Sequence, residues 1–424
     1  MCGRDGRGGA GGWWPSRWWR WGCGGRAGGA GGSDFRGFYR IWRANLTAPM
    51  QPVRQHFPVE DDPDPYPPCS YVLFAPLGML PLGVAAGMWY VLNLAASWGA
   101  WRGAEVLSGR RFSETREGWV LIGSVLPYWI GNMVSGQNGP LLMCLVVWGY
   151  VAAARGGEIW AGCLMGVGGL IKAIPALFLL PVVVWGRWRV IAGFVALTGV
   201  FIGGVCTLYL GPEANWEFHA RWMRMVVLGP ENRPANPLDP DSMHGSTRFN
   251  NQSVEGVCAR LLMRVPVREG GTTYVNVMSV EPGTWRMVTK GISLAVLLGT
   301  SVVLVVAGWK RGERKGTLRV LSLMVLTMLL ISPIVWTHYY LWMFFPCAAL
   351  MQDWKQGIGK VAGGALLVAW WGGELASGSM WCRAAGLHLG LVVLFWVYFA
   401  WRVVLNDERV RLKDENGSMV TITT

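Results

Sequence analysis

Charge is scarce in this chain. Only 15% of its 424 residues are Asp, Glu, Lys or Arg, against 52% hydrophobic, whereas an ordinary soluble domain carries about 25% charged residues. That shortage excludes a water-soluble globular protein and puts the chain in lipid. Histidine is nearly absent, with five in all, and no dense cluster of His, Asp or Glu occurs, so any catalysis rests on very few ionisable groups. The nine cysteines contain no C-x-x-C pair and no histidine at ligand spacing, which excludes a zinc site and a disulfide framework. Most of them read as small apolar fillers. Residues 1–32 lack an apolar run long enough to cross a bilayer or to serve as a signal peptide, because Arg17, Arg20 and Arg26 interrupt every candidate. This Gly/Trp/Arg stretch reads as low-complexity, disordered or mis-translated.

What the chain does have is tryptophan, 27 of them, and a series of apolar segments. These run over approximately 69–100, 119–135, 138–154, 159–171, 173–185, 188–210, 286–308, 318–336, 338–352, 360–373 and 384–402. The pair meeting at Lys172 is too short for two spans of about 20 residues, so it reads as a tilted hairpin or one broken helix. The expected fold is therefore an all-α polytopic membrane bundle with ten or eleven spans. Its bounds are 33–402, with outer loops at 33–68 and 211–285 and a charged cytoplasmic tail at 403–424. Within the first loop, Phe35, Phe38, Trp42 and Leu46 fall near helical spacing, which predicts an amphipathic interfacial helix.

Lys and Arg fix the expected orientation, because positive short loops stay in the cytoplasm. Arg102, Arg110, Arg111 and Arg116 share one connection, Arg187 and Arg189 another, and Lys310, Arg311, Arg314, Lys315 and Arg319 a third. The intervening short loops hold almost none. The net charge of +13 is then largely a topology signal, and no nucleic-acid partner is expected, although clustered cations would otherwise suggest one.

The polar groups that remain beside the spans gather on the predicted outer side: Asp34 in the first loop, Gly136-Gln137-Asn138-Gly139 at a turn, Lys172, Asn251-Gln252-Ser253, and Ser332-Pro333 with Thr337-His338. Polar residues at membrane depth usually line a cavity or pathway. Each also has a plain structural reading. The glycine-flanked amides suit a tight turn, Lys172 can snorkel to the interface, His338 can be a hydrogen-bonded interfacial histidine, and Asp34 alone is an ordinary loop acid. As a set they offer one carboxylate base, cations or an imidazole for an anionic leaving group, and amides to hold hydroxyls, which suits group transfer to a sugar hydroxyl. Charge on a departing phosphate would fall to Lys172, His338 or Arg40.

Four motifs in order resemble glycosyltransferase family 87, polytopic enzymes of the GT-C fold that use polyprenyl-phosphate sugars. They are Ser33-Asp34-Phe35 with Tyr39, Tyr66-Pro67-Pro68 and Ala75-Pro76-Leu77; Gly136-Gln137-Asn138 with Leu170-Ile171-Lys172 and Pro175-Ala176-Leu177; Asn251-Gln252-Ser253 with Leu261-Leu262; and Ser332-Pro333-Ile334-Val335-Trp336-Thr337-His338-Tyr339. The resemblance implies a hexosyltransferase acting with inversion, mannose being the expected sugar, on a glycolipid or glycan acceptor at the extracytoplasmic face of the cell (plasma or inner) membrane. It implies Asp34 as general base and His338 near the donor phosphate or the base; together with the chemistry above, His338, Lys172, Arg40, Gln137 and Asn138 are the expected residues on the donor phosphate or sugar. Tyr66, Asn251 and Gln252 would belong to the substrate loops. No metal and no cofactor are expected. The chain departs from the family pattern at Tyr339, where many relatives carry a second histidine, and at Ala173, where a proline commonly follows the lysine. The helix that the family places before the acidic loop is also replaced here by residues 1–32, which suggests a misassigned start or an upstream frameshift. A polytopic transporter or flippase is the alternative, disfavoured because no hydropathy repeat is present and the polar groups sit at one face.

Overall fold

The computed structural model describes residues 33–47, 66–224, 249–267, 272–311, 318–353, 357–405, 410–413 and 419–422. The low-complexity stretch 1–32 and the middle of the long 211–285 loop lie outside them. In chain order the helices are α1 (Ser33–Thr47), α2 (Pro68–Gly78), α3 (Leu82–Ser108), α4 (Arg116–Ser135), α5 (Gly139–Ala154), α6 (Glu158–Ile171), α7 (Ile174–Val184), α8 (Trp188–Leu210), α9 (Pro212–Trp222), α10 (Val254–Leu262), α11 (Pro282–Arg311), α12 (Leu318–Ile331), α13 (Phe344–Asp353), α14 (Gly357–Ala376), α15 (Met380–Ala384) and α16 (Leu387–Leu405). A two-stranded antiparallel ribbon, β1 (Val410–Lys413) and β2 (Met419–Ile422), follows α16.

This is an all-α, multi-pass membrane bundle. Among the described residues, α8, α11 and α16 contain stretches long and apolar enough to cross a bilayer, and two sharply bent pairs raise the number to five if each pair is one span. The ten or eleven apolar segments counted in the sequence thus include shorter helices. One of them, α12, has 14 residues, about 21 Å of helix, and is buried from Leu318 to Leu330. It is the core around which the longer helices pack, and its apolarity on every side reflects enclosure by protein. The lipid-facing surface is carried by residues such as Trp119, Leu208, Val302 and Val361, all well exposed.

The segment expected as one span over 69–100 is instead two helices meeting at 119°. Proline is the cause: Pro81 stands at the start of α3, where it lacks the N–H needed to continue the preceding helix and its ring excludes the helical carbonyl behind it. The bend makes room for α1, the amphipathic helix expected from its aromatic spacing. Phe35, Tyr39 and Trp42 are buried against Tyr71 and Trp89, and the Tyr39 hydroxyl donates to the Leu80 carbonyl at 2.7 Å. The side chain of Leu46 lies outside the described residues.

Helices α6 and α8 approach backbone to backbone. A Cβ on Gly162 would lie 2.0 Å from the Val190 carbonyl oxygen, and one on Gly193 would lie 2.3 Å from that of Ile159, the small-residue contact that lets membrane helices gain packing without a hydrophobic drive. At the Arg319 end of α12 a buried charge cluster ties three helices together. Asp353 accepts from Arg319 Nε at 3.0 Å, Tyr398 Oη at 2.9 Å and Arg402 Nε at 3.0 Å. The opposite end of α12 leads into Ser332–His338 and the candidate site.

Candidate active site

Three chain reversals meet at that end. The first is the α4–α5 turn. Gly136 caps α4 with φ 72°, a left-handed conformation that glycine adopts without penalty, and its carbonyl accepts from Trp89 Nε1 at 2.9 Å. The second is Lys172, which leaves α6 in extended conformation and separates it from α7. The third is the proline-ended turn 332–336, after which Thr337–Met343 forms a 3₁₀ turn into α13. Together they enclose a small polar cleft lined by Asn132, Gln137, Asn138, Lys172, His338 and Tyr339, with Leu142, Ile174 and Trp342 as its apolar wall.

Within the cleft Lys172 is the fixed cation. Its Nζ donates to Tyr339 Oη at 2.5 Å, and it sits 4.7 Å from the Tyr339 ring centroid and 5.1 Å from that of Tyr66, within the range of cation–π attraction. Tyr66 in turn donates to Gln137 Oε1 at 3.3 Å and meets Phe38 of α1 edge-on at 5.1 Å. His338 lies against Tyr339, ring centroids 5.0 Å apart.

His338 is placed by Asn132, a residue that sequence reading passed over inside an apolar helix. Asn132 Nδ2 donates to the His338 carbonyl at 2.7 Å and to Tyr128 O at 3.1 Å, while its Oδ1 is buried with no partner among the described residues. Gly139 leaves room for that amide: a Cβ there would stand 2.4 Å from Asn132 Oδ1. The Gly-Gln-Asn-Gly sequence is therefore both a tight turn and a wall of the cleft.

Asp34 is in the first turn of α1, and its side chain lies outside the described residues. Its neighbour is placed clearly, however. A Cβ on Gly136 would meet Phe35 Cβ at 2.5 Å and Phe35 N at 3.2 Å, so the start of α1 abuts the turn that carries Gln137 and Asn138. Arg40 is exposed on α1 and does not line the cleft.

Asn251 and Gln252 are also outside the cleft, buried to 0% and 1% exposure, and their amides tie backbone together. Asn251 Oδ1 accepts from Val335 N at 3.0 Å and Ser253 N at 3.1 Å. Gln252 Nε2 donates to Phe249 O at 2.7 Å and Arg383 O at 2.8 Å. The buried Arg260 of α10 adds bonds to Ala384 O at 3.0 Å and Asn251 O at 2.9 Å. This segment clasps the 332–338 turn to the α15–α16 turn, so it holds His338's support in place.

Behind the cleft is a second polar group absent from the sequence reading. His388 Nε2 lies 3.0 Å from Glu374 Oε1 and 3.3 Å from Tyr128 Oη, and its ring stacks on Tyr340 at 4.9 Å. An ionisable pair on two apolar helices was the available signal. Beside the cleft, an apolar cavity of about 260 Å³ opens between α3, α4, α5 and α13, lined by Trp101, Val125, Trp129, Pro140, Met143 and Leu341 among others. Among the described residues no three His, Cys, Asp or Glu side chains converge as a metal site would need.

The sequence profile of glycosyltransferase family 87 matches residues 65–333, well over half of the chain and all three reversals of the cleft as far as Pro333. The chain belongs to glycosyltransferase family 87. Two relatives carry a curated name, polyprenol-phosphate-mannose-dependent alpha-(1-2)-phosphatidylinositol pentamannoside mannosyltransferase. The protein of that name from Mycobacterium tuberculosis (strain CDC 1551 / Oshkosh) is 29% identical over 286 residues, 66% of this chain and 56% of the relative. The one from Mycolicibacterium smegmatis (strain ATCC 700084 / mc(2)155) is 27% identical over 282 residues, 66% of this chain and 59% of the relative. The chain thus spans under three fifths of the length of the relatives it matches. No solved structure matches it. His338, Tyr339 and the Glu374–His388 pair all lie beyond the matched segment.

Proposed function

We propose that the protein is a membrane glycosyltransferase that moves a hexose, mannose in the first instance, from a polyprenyl-phosphate sugar to a glycolipid or glycan acceptor. The observation that carries this reading is the caged Lys172 beside Tyr339 and His338, in a cleft that the family profile spans as far as Pro333. The names of the two relatives support mannose as sugar and a phosphatidylinositol mannoside as acceptor class.

In this reading the acceptor hydroxyl oxygen attacks the anomeric carbon while Asp34 removes its proton. The bond to the phosphate oxygen breaks, and the polyprenyl phosphate leaves with the electron pair. A single displacement inverts the anomeric centre. Lys172 receives the phosphate charge through a charge-assisted hydrogen bond, made stronger by the aromatic faces that keep water away. Gln137 and Asn138 border the sugar, and the packing of Phe35 on Gly136 supports delivery of Asp34 to the same turn. The adjoining apolar cavity suits the hydrocarbon next to the lipid phosphate, since Pro140 and Leu341 belong to its wall while Gly139 and Tyr339 belong to the cleft.

The same reading puts the cleft on the extracytoplasmic side of the cell (plasma or inner) membrane. Support comes from the distribution of Lys and Arg over alternate loops and from the Arg319–Asp353–Arg402 cluster at the far end of α12. The test is transfer from polyprenyl-phosphate mannose to phosphatidylinositol mannosides in isolated membranes, wild type against Asp34→Asn. Loss of the base is expected to cost about 10²–10⁴ in rate, and equal turnover in both would reject Asp34 as the base.

A further inference from the structure

The Lys172–Tyr339 contact has a direction. An ammonium has hydrogens and no lone pair, so at 2.5 Å Lys172 Nζ donates and Tyr339 Oη accepts. The phenolic proton is not used in that bond. Among the described residues the Tyr339 hydroxyl has no second hydrogen-bonding partner, and both residues line the cleft. Accepting a bond from a cation also polarises the hydroxyl, which makes it a better donor in turn.

We propose that the Tyr339 hydroxyl donates a hydrogen bond to the phosphate of the lipid-linked donor, so that Lys172 and Tyr339 act as one two-point anion hook. The inference rests on the phosphate-side reading of Lys172 given above. Two features make the hook rigid. The Lys172 ammonium is held at the Tyr339 hydroxyl and lies beside the Tyr66 ring, 5.1 Å from its centroid, and the backbone just before Tyr339 is pinned by Asn132 through the His338 carbonyl. A preorganised donor costs little entropy when the anion arrives. Tyr339→Phe keeps the ring and removes the hydroxyl, and with it both the donor proton and the oxygen that accepts from Lys172.

The experiment is equilibrium binding of a polyprenyl monophosphate to the full chain in nanodiscs, with the matching polyprenol as the phosphate-free control, for wild type, Tyr339→Phe, Lys172→Gln and the double variant. The expected result is that Tyr339→Phe weakens phosphate binding about tenfold or more, the usual worth of a hydrogen bond to a charged group, both alone and when added to Lys172→Gln, with polyprenol binding and unfolding temperature unchanged; a loss that disappears in the Lys172→Gln background means that the hydroxyl only positions Lys172 and overturns the hook. Wild-type phosphate affinity in Tyr339→Phe together with a loss in Lys172→Gln overturns the hook and leaves the reading of Lys172 intact. Wild-type affinity in both variants overturns that reading and the hook with it. Should Tyr339→Phe unfold early, Tyr339→His, which returns a ring N–H donor, takes its place. Retention of phosphate affinity within about threefold supports the hook, and a fall to the Lys172→Gln level refutes it.

Discussion

Gly139→Ala is the sharpest probe of the cleft, because it adds one methyl group that points at Asn132 and carries no chemistry of its own. The new Cβ would stand 2.4 Å from Asn132 Oδ1, where ordinary contact begins at 3.4 Å, so the amide has to retreat by about 1 Å. Asn132 is 1% exposed and its Nδ2 holds both His338 O and Tyr128 O, so the retreat breaks at least the 2.7 Å bond to His338. Leaving that part-buried carbonyl unmatched costs about 1 kcal/mol. Displacing His338 and Tyr339 by a similar distance is expected to lower turnover by about 10²-fold, the typical penalty for a misplacement of this size. The assay is mannosyl transfer and thermal unfolding for Gly139→Ala, Asn132→Ala and the double variant. If the clash with Asn132 is the whole cause, the alanine at 139 costs little in the Asn132→Ala background. Full activity in Gly139→Ala, or equal losses in both backgrounds, would refute the assignment of Asn132 as the clamp on His338.

Further outcomes test other parts of the molecule. Asp353→Asn keeps shape but deprives buried Arg319 and Arg402 of their carboxylate; it is expected to destabilise the bundle by about 3–5 kcal/mol, read as a lower unfolding temperature in detergent and lower yield in membranes. Gly162→Leu, placed where even a Cβ meets the Val190 carbonyl at 2.0 Å, is expected to separate α6 from α8, and full-length protein of wild-type stability would contradict that packing. Gln252→Ala removes the links to Phe249 O and Arg383 O. It is expected to lower thermal stability by about 1–3 kcal/mol while leaving the KM for the donor unchanged, whereas a raised KM with unchanged stability would return Gln252 to the substrate contacts.

Much of the site was legible as a set of positions but not as a geometry. Lys172, Gln137, Asn138 and His338 were each conspicuous because polar groups are rare in apolar surroundings, and the fold does bring these four together. The same rarity flagged Asn251 and Gln252, yet a rare amide is equally what a buried backbone reversal needs, and here that need consumes both. Asn132 and His388 went unread for the opposite reason: each is one polar residue inside a strongly apolar helix, and only a partner from a distant segment gives it a role. Tyr66 belonged to the right loop, but its place over Lys172 depends on two segments separated by about a hundred residues of chain.

Composition, the alternation of positive loops and the order of four short motifs were enough by themselves to determine an all-α membrane bundle of family 87, since solvation in lipid and chain topology act on residue type and sequence position alone. Tertiary packing decided the rest. It split the segment expected over 69–100 at Pro81, enclosed α12 as a core helix too short to span by itself, turned Asn251-Gln252-Ser253 into a clasp, and closed two tyrosines around Lys172. These outcomes depend on which surfaces meet across long stretches of chain, and a contact between distant segments has no signature in either segment alone.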